Sequence, residues 1–330
     1  MNITILTYLD KEGDKDFDPV VHQVRQALRK GGHKVSVLGV HDDVKRLIAG
    51  LQRRKPELVF HMLEMFGDNV TGDIPVSGLL DLLGLRYTGC SPREAVLSQD
   101  KSLTKKILAF EGIQCPRFAI FSADDGDLET GGNLRLPLFV KPMRMDASIG
   151  IDAGKKALVF DAKSLMKRVL AIHDECNDAA LAEEFIDGCE FYVGILGNER
   201  PVALPPIEMD FSGLPAGAPR VLDARAKFDE SSKEFKGTKA IVADIPDELR
   251  ARLQKVSLEA YRALRVRDYG RVDLRFTEAG EIYVIEVNAG CYLEKASEFA
   301  IAAKAAGIEY PALIQRIVEL ASTRHDKAQP

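Results

Sequence analysis

Three side chains near the C-terminal third of the chain carry the strongest chemical signal. Gly270-Arg271-Val272-Asp273-Leu274-Arg275-Phe276 reads as one strand and Glu281-Ile282-Tyr283-Val284-Ile285-Glu286-Val287-Asn288 as its partner. A turn centred on Ala279-Gly280 sets Asp273 opposite Glu286 and Arg271 opposite Asn288. Alternation then puts Val272, Leu274, Phe276, Tyr283, Ile285 and Val287 on the other, apolar face, which must be core. Two acids and an amide converge above a buried layer. Like charges opposed across a sheet are unfavourable, and a divalent cation removes the penalty. Oxygen-only ligands suit magnesium rather than zinc. The competing reading is a solvated face on which Arg271 and Arg275 neutralise the acids.

A second set of residues has the chemistry of a nucleotide site without GxxxxGKS or a convincing GxGxxG, so neither a P-loop nor a dinucleotide fold is expected. Lys141 ends the strand Leu138-Phe139-Val140 and Pro142 stops further pairing. The small-residue loop Asp146-Ala147-Ser148-Ile149-Gly150 offers backbone amides to phosphate, and Lys101 begins a helix after Ser98-Gln99-Asp100. Taken singly, each lysine is more often a solvated surface group. In Leu181–Glu190, a strand edge has donors and acceptors for an adenine ring and an acid a few residues on for ribose. Ordinary exposed glutamates are the bland alternative.

The elements that must hold these groups follow from periodicity. Strand patterns at Ile3–Leu6, Val35–Val40 and Leu58–His61 alternate with helical spacing at Val20–Leu28 and Asp43–Leu51. This predicts an α/β segment with an open, mostly parallel sheet. Further helices are predicted at Val76–Leu83 and Asp100–Phe110. Beyond Pro116 the pattern is α+β: strands at Arg117–Phe121, Leu138–Lys141, Leu181–Phe185 and Glu190–Leu196, a helix at Ser164–Asp174. Residues 210–240 are rich in Gly, Pro and charge, as a lid or a surface insertion is. Pro246–Leu264 is predicted helical, Ala296–Leu320 mostly so, and Ser322–Pro330 loose.

The chain of 330 residues suits two or three subdomains. A net charge of -5 argues against a general affinity for nucleic acid or acidic membranes. The sequence has no run resembling a membrane span and no basic leader at its start, and its five cysteines form no CxxC pair. A cytoplasmic protein with reduced thiols is expected.

In order, the chain shows YTGCSPREAVLSQDKSLTKKIL, LPLFVKPMRMDASIG, LAEEFIDGCEFYVGILGN, DARAKF, GRVDLRF and IYVIEVNAG. With this order and spacing the sequence resembles the D-alanine–D-alanine ligase branch of the ATP-grasp superfamily, from about Leu58 to Leu320. The resemblance implies three subdomains: an N-terminal α/β domain (1–97), a central domain (98–188) and a C-terminal domain (189–330) with a mobile loop at 210–240. It implies that ATP and two magnesium ions, with manganese as a substitute, serve a carboxylate–amine ligation through an acyl phosphate. It implies that Lys101, Lys141 and Ser148 bind ATP phosphates and that Lys227 reaches them from the loop. Glu183, Glu184 and Phe185 would hold adenine and Glu190 ribose. Asp273, Glu286 and Asn288 would bind the metal and Arg271 the reacting acyl group. Catalytic roles therefore fall to Arg271, Ser148 and Lys227. A homodimer is carried over from the family.

The departures from the family lie on the substrate side. Tyr8-Leu9-Asp10-Lys11-Glu12-Gly13 replaces a small-residue loop, Phe228 a tyrosine, and Cys291-Tyr292 a Pro-Gly. The expectation is a ligase for an amino acid or peptide-like substrate other than D-alanine. A true D-alanine–D-alanine ligase and a non-catalytic ATP-binding protein are the alternatives.

Overall fold

The computed structural model describes residues 1–328 except 15, 123–127, 131–132, 144–156 and 215–231. Apolar runs in the first sixty residues form β1 (Asn2–Tyr8), β2 (Lys34–Val40) and β3 (Leu58–Met62), a parallel sheet of order β2-β1-β3. Parallel strands are covered on both faces. Ile3 and Ile5 pack on the helix Pro19–Lys30 and on the C-terminal helix Tyr310–Ala328. Leu6 and Val59 pack on the helices Val44–Arg54 and Asp73–Leu82.

The central segment is an antiparallel sheet of β4 (Phe118–Phe121), β5 (Leu128–Thr130), β6 (Leu138–Pro142), β7 (Leu158–Val159) and β8 (Ala180–Glu184), in the order β5-β4-β8-β6-β7. The helix Ala162–Cys176 covers it through Val169 and Ile172. The third sheet runs β12 (Lys239–Val242), β11 (Ile207–Asp210), β9 (Cys189–Leu196), β13 (Tyr269–Phe276), β14 (Ile282–Asn288), with β10 (Val202–Ala203) paired to β9. Helix Asp247–Ala263 packs on one face through Leu253 and Ala260, and Phe299 of helix Glu298–Ala305 on the other.

The predicted elements are present; strands β5, β7 and β10 were not among them, and three further differences stand out. Helix Pro92–Gln99 was not anticipated, although Ser91 and Glu94 form a capping box with Pro92 behind it. Segment 210–240 leaves and re-enters through a hairpin, Asp210 pairing with Lys239 and Ile207 with Val242. Gly213 and Gly237 meet there so closely that a Cβ on Gly213 would lie 2.8 Å from the Cα of Gly237. The supposedly loose tail is helical to Ala328. Arg324 bonds to buried Asp268 and to the carbonyls of Tyr87 and Gly89, and Asp326 pairs with Arg86. These partners lie more than 50 residues away in sequence, so local pattern could not show them.

Candidate active site

The hairpin of β13 and β14 sets Arg271 opposite Asn288 and Asp273 opposite Glu286. The route to that register differs from the sequence expectation. The turn closes one residue earlier, with Thr277 N–H donating to the Glu281 carbonyl at 3.0 Å. A bulge between Asp273 and Leu274 then restores the opposition of the acids. The bulge changes the facing: Ile282 and Val284 join Val272, Leu274 and Val287 in the core, while Ile285 lines the cleft.

On the cleft face Arg271 donates to both oxygens of Asp273 at 2.7 and 2.9 Å and to Glu298 at 3.0 Å. Its guanidinium lies over the Tyr192 ring, 4.8 Å from the centroid. Burial works against its charge, but Asp273 and Glu298 more than offset that and hold its pKa well above the ordinary arginine value. Asn288 donates through Nδ2 to Asp273 at 3.1 Å, so its carbonyl oxygen is the atom it could offer a metal. Two carboxylates and an amide carbonyl make a hard-oxygen donor set suited to magnesium or manganese.

Lys101 opens the helix Lys101–Phe110, which Asp100 caps by accepting from Ser102 and Leu103. Its ammonium is 3.4 Å from Glu286. Lys141 on β6 reaches Glu183 on β8 at 2.8 Å, and Lys105 reaches the other oxygen of Glu183 at 2.8 Å. Burial alone would raise the pKa of Glu183, but the two lysines outweigh it and hold it below the usual value. Sequence reasoning missed Lys105; its signal was a second lysine four positions after Lys101, on the same helix face.

The remaining nucleotide-side residues divide. The Glu184 carboxylate is engaged by Arg117 at 2.6 Å and by the Arg135 backbone at 2.8 Å, and neither arginine lines the cavity. Phe185 lies under the Arg275 guanidinium, 5.8 Å from it. Glu190 accepts from Arg275 at 2.5 Å and from the Tyr192 hydroxyl. Ser148 and Lys227, like Phe228, lie outside the described residues.

A cavity of about 1230 Å³ brings together Lys101, Lys141, Glu183, Glu190, Arg271, Asp273, Glu286 and Asn288. It extends to the N-terminal sheet, where Asp10, Asp18, His61, Glu64 and Tyr292 line it. Tyr292 donates to Asp18 at 2.8 Å. Asp18 also caps helix Pro19–Lys30 by accepting from Val20. Burial, then Asp18, raises the pKa of Tyr292 above the ordinary phenol value. Burial lowers that of His61 to about 4, so its imidazole is neutral at pH 7.

Residues 107–319 match the family described as D-ala D-ala ligase C-terminus. A D-alanine–D-alanine ligase of Desulforudis audaxviator is 32% identical over 302 residues, 90% of this chain and 91% of that protein. The uncharacterised protein y4sG of Sinorhizobium fredii is 30% identical over 93% of this chain and 88% of its own. Among solved structures, a D-alanine–D-alanine ligase of Bacillus anthracis complexed with ATP aligns at a TM-score of 0.74 and 23% identity, covering 99% of both chains. That likeness concerns the fold.

Proposed function

The chain belongs to the D-alanine–D-alanine ligase family of ATP-grasp ligases, and from that premise we propose that it joins a carboxylate to the amine of an amino acid or peptide-like substrate other than D-alanine. The observation that carries the substrate reading is the hydrogen bond between Tyr292 and Asp18, both of which line the cavity. A phenol ring stands there at the position of the family's glycine. The names of the relatives favour D-alanine as substrate, and that is the second reading.

The reaction follows from the groups in place. ATP sits with its phosphates toward Lys101 and Lys141 and its ribose toward Glu190; residues 184–186, where β8 ends, supply adenine contacts. Asp273, Glu286 and Asn288 would hold magnesium, which when bound would draw charge from the γ-phosphate. The substrate carboxylate attacks the γ-phosphorus, ADP leaves, and an acyl phosphate results. The amine then attacks the acyl carbon, the oxyanion develops beside Arg271, and phosphate departs. Positioned cations are what this chemistry needs most. Arg271 suits the task because Asp273 and Glu298 hold it charged and fixed. Ser148 and Lys227, expected at the phosphate site from the family resemblance, lie outside the described residues.

We also propose the division 1–97, 98–188 and 189–330, a homodimer and a cytoplasmic location. No helix among the described residues is long and apolar enough to cross a membrane. The test is ADP release with magnesium across pairs of amino acids and dipeptides, products being identified by mass spectrometry. ATP-dependent ligation of a pair other than two D-alanines is the expected result. No ligation with any pair would overturn the ligase reading.

A further inference from the structure

Glu183 is 4% exposed, and its two cationic partners differ in one respect. Lys141 lines the cavity, as does Glu183, whereas Lys105 is 1% exposed and does not. One turn earlier on the same helix, Lys101 does line the cavity and meets Glu286 on β14. The helix Lys101–Phe110 thus sends one lysine to an acid of the third sheet and the next to an acid of the central sheet. The first meets the candidate metal acids. The second stays behind Glu183 and does not itself line the cavity.

We infer that Lys105 is a positioning residue for nucleotide binding: it covers the charge of Glu183, so that Lys141 is free to leave that carboxylate for a phosphate. The inference rests on the ATP reading above. A buried carboxylate with a single cation holds that cation, because separating them strands an uncompensated charge at low dielectric. A second cation behind the carboxylate removes that obstacle. Lys141 then exchanges one anion for another while Glu183 stays paired with Lys105. Packing alone would be served as well by an uncharged side chain, so it is the charge of Lys105 that needs a reason.

The test is a double-mutant cycle read by calorimetric binding of ATP and, separately, of inorganic triphosphate. K105M should weaken both ligands tenfold or more in the wild-type background. In the E183Q background the same change should alter affinity by less than twofold, since an amide has no charge to cover. Thermal melts establish that each variant is folded. Should K105M not fold, K105Q serves in its place, with the same outcomes. Equal ATP affinity in K105M and wild type, or equal losses in both backgrounds, would overturn the inference. Failure of the wild-type protein to bind ATP would overturn the nucleotide reading itself, and is distinguishable because it appears before any substitution is made.

Discussion

Arg271 holds both carboxylate oxygens of Asp273, two residues along its own strand, while Asn288 donates to one of them from the neighbouring strand. The three groups are therefore organised around Asp273 before any metal enters. At the proposed metal site, binding would only have to redistribute existing contacts. Removing a ligand should then affect chemistry more than folding. Glu286→Gln and Asn288→Ala are expected to lower magnesium-dependent turnover at least tenfold, at about 1.4 kcal/mol per tenfold step, with melting temperatures near wild type. Turnover at low magnesium and saturating ATP is the measurement. Unchanged rates in both variants would exclude this metal site.

Lys141→Ala should weaken ATP binding without unfolding the protein. Glu183 keeps Lys105 at 2.8 Å after the substitution, so no buried charge is left alone. A lost charge-assisted contact costs roughly 1.5–3 kcal/mol, or about ten- to a hundredfold in affinity. Calorimetry giving the wild-type dissociation constant would refute it.

The hairpin shows what was legible in sequence and what was not. The opposition of Asp273 and Glu286 could be read from alternation, because turn and bulge errors cancel at that point. The identity of the core face between the bulge and the turn could not be read. Val284 is fully buried and Ile285 is not, yet both are β-branched or aliphatic and carry no mark of a bulge. Strands β4, β6 and β8 of the central sheet followed from local patterns, whereas β5, β7 and the antiparallel order did not. Lys105 and the Arg324–Asp268 pair did not, since their meaning lies in partners 78 and 56 residues away.

That second pair makes a stability prediction. Asp268 is fully buried and accepts from Gly89 N–H at 2.8 Å, Asn198 at 3.1 Å and Arg324 at 3.0 Å. Arg324→Met removes its cation and leaves a buried carboxylate uncompensated, at a cost of roughly 3–5 kcal/mol. The melting temperature should fall by roughly 5 °C or more. A shift under a degree would show that the last helical turns contribute nothing.

His61 gives the pH dependence its sign. Its pKa is lowered to about 4 in the folded protein by burial, against about 6.5 when unfolded. Between these values the unfolded chain binds a proton that the folded one refuses, so stability rises with pH there. The contribution is complete above about 6.5 and is lost as pH falls toward 4, amounting to roughly 1–3 kcal/mol. Denaturant melts from pH 7 to pH 4 should show this loss, and His61→Gln should reduce it. A His61→Gln curve parallel to wild type would refute the assignment.

The protein should be a poor ligase of D-alanine alone. Its relatives at 30–32% identity include D-alanine–D-alanine ligases, and Lys101, Lys141, Glu190, Asp273 and Glu286 all line one cavity here. The difference lies at Tyr292, which lines the same cavity. Tyr292 stands where the family has glycine and is tied to Asp18, the residue that caps the helix Pro19–Lys30. A side chain at that position restricts the backbone where the oxyanion donor is needed, and the hydrogen bond fixes the ring rather than letting it swing aside. Tyr292→Phe removes the hydroxyl and leaves Asp18 with its backbone partner, so substrate preference should change more than ATP affinity. The decisive assay is coupled ADP release with D-alanine at high millimolar concentration, products being read by mass spectrometry. Little or no D-alanyl-D-alanine is expected. Turnover of about 1 per second or faster, the low end for typical enzymes, with D-alanyl-D-alanine as product, would return the protein to the reading its relatives' names suggest.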